Sequence, residues 1–396
     1  MDLDRYFKLL AQKDFRCDLG PMREWCSLLG NPQDAYATIH IAGTNGKGST
    51  SVFLSNLLQA AGYRVGLMTS PHLIDISERI QINGTPISPE ALTEQVEEIR
   101  DFLPDETYLS YFEMITLVGF EYFSRMEVDV AVVETGLGGR LDATNVVMPQ
   151  IALLTPIAFD HENILGDTLA KIAREKCGIL KEKIRAVISA PQEQEAAKVI
   201  EASCKKLKLP LHWADPSAMT MPLGLKGDHQ KINAACAWLA MKTLLEEELS
   251  EQKYLSALEK TFWPGRLQIL SHNPSVLVDG AHNRAGIETL AQYLKTDHSH
   301  QKIHFLIGCL KDKNWEGMFA PLKDLGERFI CVNVPSTRGL SAAALEAVFK
   351  NYGKAVSARK EPVFKVFQGI LAELPPHDLL VATGSLYMIG EILKSF

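Results

Sequence analysis

Residues 36–61 pass directly from a buried strand through a glycine-rich loop into a helix, and few folds accommodate that passage. Tyr-Ala-Thr-Ile-His-Ile-Ala (36–42) is apolar, and Gly43-Thr44-Asn45-Gly46-Lys47-Gly48-Ser49-Thr50 follows without a spacer. A helix then runs to about Ala61, with Gly62 as its stop, and 64–69 reads as a second strand. The same alternation continues, with helices predicted over 88–103 and 111–126 and strands over 128–134, 151–155 and 186–189. Continuous apolar strands separated by helices imply a parallel sheet covered on both faces.

The pattern breaks near 262–275, at Phe-Trp-Pro-Gly-Arg and then His-Asn-Pro-Ser, and restarts beyond. Strands are predicted over 276–279, 303–308, 329–334 and 379–383, with helices near 284–296, 341–350, 364–373 and 386–394. A chain of 396 residues exceeds what one core usually supports. The fold expected is therefore α/β in two domains. Residues 1–265 form a P-loop ATPase-type parallel-sheet domain, 272–396 a smaller Rossmann-like α/β domain, and 264–272 the linker between them.

The formal net charge of −7 argues against a nucleic-acid partner. No apolar run is long enough to span a bilayer, and the start of the chain lacks the basic and apolar segments of a signal peptide. The seven cysteines, Cys17, Cys26, Cys177, Cys204, Cys236, Cys309 and Cys331, contain no Cys-x-x-Cys pair, so neither zinc nor redox chemistry is indicated. A reducing cytoplasm is the expected setting.

Gly43–Thr50 is the strongest local signal. Glycines let backbone N–H groups approach phosphate oxygens, a helix N-terminus adds partial positive charge, and Lys47 supplies a full one. Ser49 is placed to reach a magnesium ion. The loop departs from the standard pattern because Gly48 separates Lys47 from Ser49. Glu134 ends an apolar strand, where ligands of open α/β sheets bind, and is the candidate magnesium ligand. The glycine-rich stretch 136–145 follows it and carries Arg140 and Asp142. His161 lies beyond the next strand, and Lys176 closes a helix within Arg174-Glu175-Lys176-Cys177-Gly178. In the second half, Asp279-Gly280-Ala281-His282-Asn283 is a polar strand exit, and Arg266 just upstream is a candidate for ATP phosphates.

Together these segments closely resemble the folylpolyglutamate synthase and dihydrofolate synthase family, within the Mur ligase superfamily. The resemblance runs from Leu19 to Tyr387. It is carried by His-Ile-Ala-Gly-Thr-Asn-Gly-Lys-Gly-Ser (40–49), Thr-Ser-Pro-His-Leu (69–73), Glu78-Arg79-Ile80 and Tyr111-Phe112-Glu113. Further on come Gly-Leu-Gly-Gly-Arg-Leu-Asp-Ala-Thr-Asn (136–145), Arg-Glu-Lys-Cys-Gly-Ile (174–179), and Gly227-Asp228-His229-Gln230 with Asn233. Trp263-Pro264-Gly265-Arg266, Asp-Gly-Ala-His-Asn (279–283) and Thr383-Gly384-Ser385-Leu386 complete the set.

The resemblance implies ATP-dependent ligation of L-glutamate to dihydropteroate or reduced folates through an acyl phosphate, by a chain expected to act as a monomer. It assigns ATP to Thr44, Asn45, Gly46, Lys47, Gly48, Ser49, Asn233, Arg266 and Asp279. Two magnesium ions would rest on Ser49, Ser70, Glu134, His161 and a carbamate on Lys176. Phe112, Glu113, Leu141, Asp142 and Ala143 would contact the pteroate, and His282 and Ser385 the incoming glutamate. Lys47, Lys176 and His282 are the residues expected to take part in the chemistry. Cys177 and Gly280 stand where the family often has Ala and Val, exchanges expected to leave activity intact. The alternatives are a Mur-type ligase acting on a cell-wall precursor and an ATP-binding protein without catalysis.

Overall fold

The computed structural model describes residues 3–11, 18–104, 109–245 and 251–396. Its chain contacts divide it into two compact units. The N-terminal unit comprises residues 1–157, 167–224 and 231–261; the C-terminal unit comprises 158–166, 225–230 and 262–396.

The N-terminal unit is built on eight strands: β1 Ala37–Ala42, β2 Val65–Met68, β3 Ile80–Ile82, β4 Thr85–Pro86, β5 Val130–Glu134, β6 Ile151–Leu154, β7 Ala186–Ser189 and β8 Leu211–Trp213. They lie in the order β4-β3-β2-β5-β1-β6-β7-β8. Six are parallel, as the apolar alternation predicts, whereas β3 and β4 form an antiparallel edge. Strands of three and two residues are too short to leave a periodic signal, which is why the sequence did not reveal that edge.

In register, Ile41 lies beside Glu134 and Ala42 beside Leu154, so β1, β5 and β6 end level with one another. β1 is also where the strand order reverses, the place where open α/β sheets bind ligands. The helix Tyr111–Arg125 covers one face with Phe120 and Phe123 fully buried. A capping box starts it: the Ser110 hydroxyl accepts from the Glu113 amide, and the Glu113 carboxylate accepts from the Ser110 amide at 2.7 Å.

The C-terminal unit has six strands: β9 Gln268–His272, β10 Ser275–Asp279, β11 Ile303–Ile307, β12 Gly326–Val332, β13 Val356–Arg359 and β14 Leu379–Thr383. Their order is β13-β12-β11-β14-β10-β9, parallel except for β9. Residues 268–272, expected within the linker, are thus an edge strand, and Asn273-Pro274 is the turn of a hairpin. Proline and glycine there mark a tight turn rather than an extended connection. Alternate residues fill the two faces, Leu277, Phe305 and Phe329 on one, Val278, Leu306 and Ile330 on the other. Cys17 lies outside the described residues, and the other six cysteines are unbridged and buried. No described helix is long and apolar enough to cross a membrane.

Candidate functional site

The loop after β1 is shaped by contacts that exclude side chains at two glycines. A Cβ on Gly43 would lie 1.8 Å from Thr155 Oγ1, and one on Gly46 2.2 Å from Asn233 Oδ1. Gly46 also has φ 85°, a conformation open to glycine, and caps the helix Lys47–Ala60. The amides of Thr44 and Asn45 both donate to the Pro156 carbonyl, at 3.0 and 3.2 Å. Those two N–H groups anchor the loop, while the amides at the helix start lack intrahelical acceptors, the arrangement that suits an anion. Asn233 is buried and accepts from the Thr50 hydroxyl at 3.3 Å. The helix His229–Leu245 thereby brings a residue 183 positions away to the loop.

Glu134 is 3 % exposed at the end of β5. One oxygen accepts the Ser70 amide at 3.3 Å, and the other lies 3.8 Å from Lys47 Nζ. Lys47 Nζ also donates to the Thr44 carbonyl at 3.4 Å. Lys176, buried at the end of the helix Leu169–Lys176, donates to the Gly43 carbonyl at 2.7 Å. Lysine, carboxylate and serine thus gather at adjoining strand exits of one sheet.

The stretch 136–145 is organised from within. Asp142 is buried, and it accepts from the Leu137 amide at 2.8 Å, the Thr144 amide at 3.1 Å and the Thr144 hydroxyl at 2.5 Å. Burial raises its pKa against the lowering effect of those donors. The Thr144 hydroxyl continues the chain to His40 Nε2 at 2.8 Å. Burial, and then the charge of Lys181, push that imidazole down to about 3. Asp142, expected against a pteroate, engages both oxygens with backbone and hydroxyl donors of the protein, and Glu113 engages one with the Ser110 amide. Phe112 remains half-buried, its ring where a Cβ on Gly136 would lie, 2.6 Å from Cζ. Leu141 is half-buried and Ala143 buried in the same stretch.

In the C-terminal unit the exits of β10, β11 and β14 meet. The Gly384 amide donates to the Ala281 carbonyl at 3.0 Å, and the Gly308 amide to the Thr383 carbonyl at 3.3 Å. Asp279 accepts from the amides of Leu267 and Ala281, both at 2.9 Å, while burial raises its pKa and nearby Arg266 opposes the rise. Gly280 is tightly enclosed: a Cβ there would lie 2.3 Å from Leu386 Cδ2 and 3.2 Å from Arg266 Nη1. A valine at this position would require Leu386 to move. Ser385 Oγ is buried with no hydrogen-bond partner among the described residues.

His282 Nδ1 lies 2.8 Å from the Gly280 carbonyl, which can only accept, so Nδ1 carries the proton and Nε2 the lone pair. Burial, then the charge of Lys313, lower this imidazole to about 4. Asp160 is the centre of a cluster that the sequence did not single out. It accepts from Lys313 Nζ at 2.6 Å and Asn283 Nδ2 at 3.1 Å. Its two oxygens lie 3.8 and 3.9 Å from Nε2 of His161 and His282, respectively. Burial raises the Asp160 carboxyl, yet Lys313, His282 and His161 together hold it well below the carboxylate range. His161 belongs to this unit, with φ 52° and Nε2 3.1 Å from Lys313 Nζ. The one available signal was the polar, glycine-led exit of β11, Gly308-Cys309-Leu310-Lys311-Asp312-Lys313.

Known proteins share this architecture. Residues 41–212 match the Mur ligase middle domain, and 265–386 match the Mur ligase, glutamate ligase domain. The dihydrofolate synthase/folylpolyglutamate synthase of Bacillus subtilis is 35 % identical over 95 % of this chain and 94 % of its own. The chain belongs to the dihydrofolate synthase/folylpolyglutamate synthase family. Among solved members, Escherichia coli FolC in complex with DHPP and ADP superposes with TM-score 0.90 at 28 % identity, covering 99 % of this chain and 97 % of that one. The bifunctional Yersinia pestis enzyme complexed with AMPPNP and Mn ion gives TM-score 0.87 at 26 % identity, with coverage of 99 % and 97 %.

A family member of this kind uses a divalent cation, and the donors present fit one. The described residues contain no cluster of three or more His, Cys, Asp or Glu that would form an all-protein cage. Beside the glycine loop they offer the buried carboxylate of Glu134, adjoining Ser70. Magnesium is commonly held in just that way, by one or two carboxylates with water and substrate phosphates completing the shell.

Proposed function

We propose that this chain ligates L-glutamate to dihydropteroate and to reduced folates, using ATP to activate the acceptor carboxylate as an acyl phosphate. The observation that carries the reading is the meeting of Lys47, Glu134 and Ser70 beside the glycine loop, within a chain of this family. Lys47 and the amides at the helix start hold the ATP phosphates, with Asn233 as a further nucleotide residue. Ser49, Ser70 and Glu134 would hold magnesium, which when bound neutralises charge on the transferred phosphoryl group. Phe112, Leu141 and Ala143 supply the surface for the pteroate, in a stretch kept in shape by Asp142.

His282 and Ser385 take the glutamate. With its proton on Nδ1, His282 turns a neutral Nε2 lone pair to the incoming amine and accepts the proton released as the amide bond forms. Lys176 is proposed to carry a carbamate. The Gly43 carbonyl needs one N–H, which a carbamate nitrogen retains, so the modification keeps the 2.7 Å bond and adds an anion beside the loop. Enzyme freed of CO2 is then expected to lose activity and regain it with bicarbonate; full activity with a bare Lys176 in the intact-mass spectrum removes the carbamate. The reaction is assigned to the cytoplasm.

The deciding experiment is glutamate-dependent ADP formation, with dihydropteroate and tetrahydrofolate offered in parallel. Turnover of both establishes a bifunctional enzyme. Silence with both, in the presence of magnesium and bicarbonate, overturns the reading.

A further inference from the structure

Arg79 is a buried cation that the chemistry so far leaves unused. It is 8 % exposed, and among the described residues no carboxylate forms an ion pair with it. Arginine stays charged in proteins, and a buried charge without a counter-ion is costly. The adjacent Glu78 does not neutralise it. Both Glu78 oxygens are occupied by the amides of Leu73, Ile74 and Asp75, at 2.7, 2.9 and 2.8 Å. Those bonds fix the turn that leads into the short helix Ile76–Arg79.

The guanidinium is oriented with care. Its Nε donates to His72 Nδ1 at 2.9 Å, and its plane lies over the Tyr111 ring with the carbon 5.3 Å from the centroid. Both Nη groups remain as a fork suited to a carboxylate. The Arg79 carbonyl accepts from the Thr69 amide at 3.0 Å, next to Ser70, which is bonded to Glu134. Tyr111 precedes Phe112, whose ring lies against Gly136. Arg79 therefore stands between the Ser70–Glu134 corner and the proposed pteroate surface.

Resting on the folate reading above, we propose that Arg79 binds the α-carboxylate of an acceptor that already carries glutamate. Such an acceptor has two carboxylates. The γ-carboxylate reacts, where Lys47 and the magnesium site supply positive charge, and the α-carboxylate needs a second cation. Dihydropteroate has a single carboxylate and no such need. Arg79 is thereby the residue that separates chain extension from the first glutamylation, and His72 is the residue that positions it.

Calorimetry on the full chain with ADP and magnesium, using pteroate and pteroylglutamate, reads the tail directly. The wild-type chain is expected to hold the glutamylated acceptor about 10- to 100-fold more tightly. Arg79→Gln removes the difference, and Arg79→Lys, with charge but no fork, keeps part of it. In turnover, Arg79→Gln raises KM for tetrahydrofolate by a similar factor and shifts that for dihydropteroate far less. Equal losses on both acceptors, a thermal midpoint lowered in both variants, or a wild-type chain indifferent to the tail overturns the assignment. A wild-type chain that binds neither acceptor sinks the folate reading and this assignment with it.

Discussion

Lys47 in the N-terminal unit and Lys313 in the C-terminal unit both follow a strand's carboxyl end, yet their charges are handled in opposite ways. Lys47 stands 3.8 Å from Glu134, beyond a hydrogen bond, whereas Lys313 is locked to Asp160 at 2.6 Å. Arg79 extends the first pattern and Asp279, satisfied by two backbone amides, the second. The N-terminal unit leaves Lys47 and Arg79 without a short ion pair, as the proposed anionic ligands require. In the C-terminal unit Lys313 and Asp160 neutralise one another beside His282. On the proposed reading, charge acts on anionic ligands in the first unit and neutral hydrogen bonding on glutamate in the second.

The comparison is broken most severely at Lys47. Lys47→Ala is expected to lower glutamate-dependent ADP formation by about 10³-fold or more, with little change in the urea midpoint. Near-normal turnover would mean the cation is not used on phosphate. Lys313→Met is expected to act on stability instead, by about 3–5 kcal/mol, because Asp160 is left charged and unpaired. Lys313→Met with Asp160→Asn should recover most of that loss in urea titrations; a double variant as unstable as the single one would deny the pair its role.

Gly280→Val sharpens the packing side. Leu386 must move, at about 1–3 kcal/mol, and adding Leu386→Ala should return much of it in thermal melts.

The last effect is a pH slope. His40 titrates near 3 in the folded chain against 6.5 in the unfolded one. Above 6.5 both forms are neutral and nothing changes. As pH falls from there toward 3, only the unfolded chain takes the proton, so stability declines by about 1.4 kcal/mol per pH unit. Burial-raised Asp142 and Asp279 act in the opposite sense above their ordinary value of 3.8, so the His40 part is isolated by comparison with His40→Gln. Urea titrations at pH 7 and 5 that shift equally in both chains would remove it.

How much of this was legible in the sequence depended on range. Strands such as Val130–Glu134 announce themselves by continuous apolar residues ending in a charge, and the exit residues Glu134, Asp279 and the Gly43–Thr50 loop were readable for that reason. β9 was misread because proline and glycine mark a hairpin and a linker alike. Lys313 with Asp160, 153 positions apart, and Lys176 with Gly43, 133 apart, follow no spacing rule and emerge only when the sheets assemble. Asp142 and Glu113 each accept a backbone amide, contacts that no sequence pattern distinguishes from ligand binding.

The Pro156 carbonyl, which receives the amides of both Thr44 and Asn45, has a consequence for how the loop can be watched. These two N–H groups are shielded by the protein itself, and on the proposed reading those of Gly46 to Gly48 are shielded by bound phosphate. In a hydrogen–deuterium exchange record, the first pair is a built-in clock for opening of the β1–β6 seam. The second group would then gauge nucleotide occupancy, read against that clock within a single stretch of five residues, 44–48.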